Sequence, residues 1–229
     1  MITFKRILRK QEWHLVLLAL LLALTNAGLN FYPNFFFGEF RGISTTSWLW
    51  IGVLTAILHQ GYMVIVLRTE LETRWLSTNA PRLGYLAYMS DYTILVVLRV
   101  ATIFASGIAN REVLAISDPN RLLFIVVLAV PCLWVLYLLA RDGNFKQLAG
   151  EDYFKPEQDS EDYDYARENI FRSTAITVYS LGPMALYIPG IVFASPAALL
   201  LALFNHLYIW VHHFCTELPD REHFYKPPS

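Results

Sequence analysis

Apolar blocks about twenty residues long recur along this chain, and they constrain its fold more than any other feature. Residues 48–67 run for twenty positions without a charge. A helix needs about 20 predominantly apolar residues to cross roughly 30 Å of hydrocarbon. Comparable blocks cover about 13–32, 83–109, 122–140, 173–194 and 196–215, the third span containing Asp91 and Arg99. Lipid offers no partner to a free backbone N–H or C=O, so each block reads as a helix. The expected fold is all-α: a polytopic transmembrane helical bundle of about six spans, forming a single integral membrane domain over residues 1–229. Charged residues make up only 16%, against about 25% in soluble domains. The basic, then apolar N-terminus resembles a signal peptide. Its apolar run is too long and no small-residue cleavage site follows, so it reads as a retained helix. Trp13, Tyr32, Trp48, Trp75 and Tyr208 lie at or near span ends, as an aromatic belt places them.

Lys and Arg set the expected orientation. Lys5, Arg6, Arg9 and Lys10 precede the first span. Arg68, Arg74 and Arg82 follow the second, and Arg141, Lys146, Lys155, Arg167 and Arg172 follow the fourth. The alternate connections hold Arg41, Arg111 and Arg121. The positive-inside rule then puts both termini on the cytoplasmic face of a bacterial inner membrane, or the matrix face of an organellar one. Residues 141–172 form a polar inner-side loop, rich in acidic residues and read as solvated. Residues 216–229 form an inner-side tail. Spans five and six are joined only by Ala194-Ser195-Pro196, which implies a tight hairpin with proline at a helix start. A net charge of −1 gives no nucleic-acid footprint. Cys132 and Cys215 show neither a disulfide framework nor zinc spacing.

Arg99 sits near the middle of span three, where an unpaired charge costs several kcal/mol. It is expected to face the bundle interior, with Asp91, eight residues earlier, as first candidate partner. The C-terminal run is the densest in polar chemistry, with Asn205, His206, Tyr208, His212, His213, Thr216, Glu217, Asp220, Glu222, His223 and Tyr225. His206 and His213 share a helix face, and with His59 they could ligate haem. Membrane-edge histidines are more often hydrogen-bonded interfacial residues, so no metal site is expected. Phosphate loops and nucleophile elbows are not found.

The run Phe193-Ala194-Ser195-Pro196, then Asn205-His206, Tyr208-Ile209-Trp210-Val211-His212, Cys215-Thr216-Glu217 and Pro219-Asp220 resembles the closing segment of a membrane methyltransferase group. That group is related to isoprenylcysteine carboxyl methyltransferases and phosphatidylethanolamine N-methyltransferases. Ala149-Gly150-Glu151-Asp152-Tyr153-Phe154 is similar to the group's A-G-x-D-x-F run, and Arg68-Thr69-Glu70-Leu71 and Ala109-Asn110-Arg111 are also similar. The resemblance implies S-adenosylmethionine bound at the inner end of the bundle, with a lipid or lipidated substrate entering from the bilayer. It implies Glu217 and His212 as catalytic residues, and Arg172, Tyr179, His213 and Glu217 as cofactor-binding residues. The sequence departs from the family's R-H-P-x-Y motif, with Ala175, Ile176 and Thr177 at the first three positions and only Tyr179 kept. Arg172, nearly a turn earlier, is the candidate replacement for the arginine. The departure motivates a rival reading: a non-catalytic subunit of this fold, packed against other membrane-protein subunits in a larger complex such as a respiratory one.

Overall fold

The computed structural model describes residues 8–9, 11–81, 83–141, 149–154 and 177–220. Helices α1 (Gln11–Phe31), α2 (Thr45–Thr73), α4 (Gly84–Ala109), α5 (Asp118–Arg141) and α7 (Pro196–Asp220) are each long and apolar enough to cross a membrane. Between α2 and α4 lies the short α3 (Trp75–Asn79), and α6 (Thr177–Val192) is a shorter apolar helix. The short strands β1 (Glu39–Phe40) and β2 (Ile43–Ser44) pair antiparallel between α1 and α2. The chain is an all-α helical bundle, as the apolar blocks require.

Helices α2 and α4 pack against each other, and α7 packs on both, with α1 and α6 also against it. Ala197, Ala198, Leu201 and Ala202 on α7 are wholly buried. Small residues let the backbones approach closely, which supplies van der Waals attraction where lipid removes the hydrophobic drive between helices. Gly52 on α2 is one such point: a Cβ there would stand 2.3 Å from Leu201 Cδ2. Helix α5 contributes less to the core. Leu122, Val126, Val130 and Leu133 on it are exposed, as lipid-facing residues are in the absence of a bilayer.

The last two helices form the expected hairpin. Ser195 caps α7 by accepting from Ala198 N–H at 3.2 Å, with Pro196 in the first turn. Ala194 turns the chain with φ +48°. Two departures from expectation matter. Residues 173–176 of the fifth span lie outside the described residues, and from Thr177 the helix is not uniformly α. Gly182–Tyr187 winds as a 3-10 segment. Pro183 and Pro189 lack the N–H that a continuous α ladder needs, and their rings crowd the carbonyl four residues back. In addition, α7 does not stop near Cys215. It passes through a π-helical turn at His213–Glu217 and continues to Asp220, with Thr216 and Asp220 buried.

Polar brackets close both ends of the bundle. At the Ser195 end, Asn110 donates from Nδ2 to the carbonyls of Phe35 and Phe37, while its Oδ1 accepts from Ser195 Oγ and Ala197 N–H. At the Asp220 end, Arg68 holds Asp220 through Nε and Nη2, both at 3.0 Å, and Tyr153 Oη donates to the same carboxylate. Arg68 Nη1 also donates to Arg9 O at 2.7 Å, tying down the chain before α1. Arg74 closes α2 with φ +55° and donates from Nη1 to Tyr153 O. Glu70 accepts from the N–H groups of Leu76 and Ser77, satisfying the first turn of α3.

Candidate functional site

A cavity of about 340 Å³ opens inside the bundle, with a largely apolar wall. Helices α2, α4, α5, α6 and α7 all contribute to it. Gly182 and Pro183, at the start of the 3-10 segment of α6, stand on the cavity wall. The size is at the lower end of the roughly 300–1,000 Å³ of small-molecule sites, which are apolar with a few convergent polar groups.

One polar cluster stands on the side of the cavity nearest Asp220. Glu217 is its centre. Tyr179 Oη donates to Glu217 Oε2, and His213 Nδ1 lies 3.1 Å from the same oxygen. His212 Nε2 lies 3.8 Å from Oε1, beyond hydrogen-bond length. The Tyr179 and His213 rings pack with centroids 4.3 Å apart. Local winding explains how both histidines reach one carboxylate. His213 and Glu217 are four apart and share a face in an α- or a π-helix, whereas residues five apart in an α-helix stand about 140° apart. The π turn hydrogen-bonds i to i+5 and brings His212 round toward Glu217. Neither ring nitrogen of the buried His212 has a hydrogen-bond partner among the described residues.

Of the residues singled out in the sequence, Tyr179, His212, His213 and Glu217 therefore meet. Tyr179, His212 and Glu217 also line the cavity. Arg172 lies outside the described residues, as do most of the 141–172 loop and the tail beyond Asp220. The three histidines of the haem reading are held apart by different partners. His59 pairs with Arg99, His206 with Tyr187, and His213 with Glu217. Among the described residues no three potential ligands converge on a metal position.

A second polar cluster surrounds Arg99. Arg99 is buried, as its charge demands, but Asp91 is not its partner. Asp91 is exposed and accepts from Tyr62 Oη at 3.0 Å. Eight residues at 100° each leave about 80° between the two side chains, enough to put Asp91 on another face. Arg99 instead donates from Nε to Asn205 Oδ1 at 2.8 Å and from Nη1 to His59 Nδ1 at 2.7 Å. His59 also packs on Tyr92, ring centroids 5.0 Å apart, and Gln60 is buried beside it. The sequence marked Arg99, His59 and Asn205 one by one, and the fold brings them together.

The chain matches no protein-family model, no curated protein and no solved structure.

Proposed function

We propose that this protein is a membrane methyltransferase that uses S-adenosylmethionine and acts on a lipid or lipid-like group at the inner membrane face. The observation that carries the reading is the gathering of Tyr179, His212, His213 and Glu217 at one end of a membrane-embedded cavity. The residue types suit the cofactor. Glu217 can accept hydrogen bonds from ribose hydroxyls or oppose a sulfonium charge, and apolar neighbours such as Val178 and Ile209 can flank an adenine. The unpartnered nitrogens of His212 leave donor and acceptor capacity on the cavity wall.

When bound, the cofactor supplies a methyl group already activated on sulfur. The protein then has mainly to position the acceptor and exclude water. Burial within the helices does the second. For the first, Tyr179 and His213 fix the Glu217 carboxylate from two directions. In this reading His212, unpartnered on the cavity wall, takes the proton released from an amine acceptor. The Lys/Arg asymmetry assigns this end to the cytoplasmic or matrix side.

Isothermal titration of the detergent-purified chain with S-adenosylmethionine tests the reading. Wild type should bind, and Glu217→Gln should fold but lose binding. No heat of binding from wild type at saturating cofactor would end the enzyme reading. The alternative, a methyltransferase-like subunit packed in a larger membrane complex, would take its place, and it is favoured by Ala175, Ile176 and Thr177 in place of R-H-P.

A further inference from the structure

Arg99 brings a positive charge into the interior, and both acceptors that hold it, Asn205 Oδ1 and His59 Nδ1, are neutral. Its other terminal nitrogen, Nη2, has no hydrogen-bond partner among the described residues, and none of their carboxylates pairs with it. A guanidinium can only donate, so His59 Nδ1 must accept, which places the proton of the neutral ring on Nε2. That nitrogen is also without a partner among the described residues. Arg99 is 6% exposed and His59 3%, and both line the cavity. A buried cation is retained when something neutralises it. Among the described residues no carboxylate neutralises it, while two donors stand ready beside an apolar chamber.

We propose that this part of the cavity binds the oxyanion head of a single-chain amphiphile, a carboxylate or a phosphate monoester. Arg99 Nη2 supplies one donor to a head-group oxygen, and the guanidinium charge compensates the anion. His59 Nε2 supplies a further donor. Met63, Val135 and Leu139 on the cavity wall accommodate the hydrocarbon. Gln60 Oε1, buried and also unpartnered, can present either end of its amide after a half-turn, so it complements a protonated or an ionised head. Arg99 and His59 share the cavity with the Glu217 cluster but hold a separate set of hydrogen bonds, and anion binding there does not depend on methyl transfer.

Binding of tetradecanoate, tetradecyl phosphate and tetradecanol to the full chain in a neutral detergent decides the matter, with no nucleotide cofactor in any arm. At least one anion should bind about tenfold or more tightly than the alcohol, and the tighter of the two identifies the head group. Equal affinity for all three in wild type overturns the proposal. In Arg99→Gln the preference for the anion should vanish, and an unchanged preference places the anion elsewhere and also overturns it. Should that variant not fold, His59→Asn is expected to weaken the anion selectively, and the wild-type comparison of head groups decides by itself. Failure to bind S-adenosylmethionine would leave these outcomes untouched, so the two proposals fail separately.

Discussion

A buried ion pair at the edge of a bundle is a test of how single residues hold the fold. Arg68 and Asp220 are both about 2% exposed and meet through two contacts at 3.0 Å. Removing one partner leaves the other charge buried without compensation, at a cost of about 3–5 kcal/mol. Asp220→Ala should therefore lower the thermal unfolding midpoint in detergent markedly. The double variant Arg68→Met, Asp220→Leu should lose less than the sum of the single changes, and additivity would show that the two side chains do not act as a pair. Residue identity was legible in the sequence where chemistry forces an outcome. Arg99 had to be buried, and Tyr179 and His212, sixteen and seventeen positions from Ser195, had to lie at similar depth across a hairpin. Which neighbour Arg99 finds was not legible, because that depends on the rotation of α2 and α7 about their axes. The residues Arg68, Tyr153 and Asp220 were noticed separately through a family resemblance, and the fold brings them into one bracket.

At the scale of the helix, hydrophobic spans announce their existence and hide their faces. A soluble helix shows its core side by an apolar stripe. These helices are apolar nearly all round, so only small and polar residues mark the contact side. Gly52 is such a mark, and it yields a definite expectation. Gly52→Val would drive side-chain atoms into Leu201 and towards Thr102 Oγ1, which stands 3.1 Å from the position of an added Cβ. Overpacking of this kind costs about 1–3 kcal/mol, so the variant should unfold at lower temperature than wild type. Gly61, with nothing within 4 Å of an added Cβ, should accept alanine with little change. A Gly52→Val protein as stable as Gly61→Ala would mean that α2 and α7 are not in close contact there. The interruption of α6 could be anticipated from Gly182-Pro183 and Pro189. The π turn at His213–Glu217 could not, since it breaks the α ladder without proline or glycine.

The topology of the whole molecule turns on whether α6 crosses the membrane. Among the described residues five helices are long enough by themselves, and an odd number of crossings would put the termini on opposite faces. The contacts argue for six. Gln11, at the start of α1, donates from Nε2 to Cys215 O and Thr216 Oγ1 near the end of α7, so these two ends share one side. At the other side, the hairpin turn meets the end of α4 through Asn110 and Ser195. The segment at Tyr153 returns to Asp220. With α7 running from Ser195 to Asp220, α6 is the described part of the chain that leads from Tyr153 to Ser195, and its crossing is the expectation to be tested. Arg9, Arg68, Arg74 and Arg141 belong to the Asp220 side, whereas the opposite side has Arg41, Arg111 and Arg121. By the Lys and Arg asymmetry of the sequence, the Asp220 side is expected to face the cytoplasm or matrix. Reporter fusions after Ser229 and after Phe154 should therefore both report that inner side. If the two disagree with each other, α6 does not cross. If both report the outer side, the six crossings stand and the charge asymmetry has been overridden.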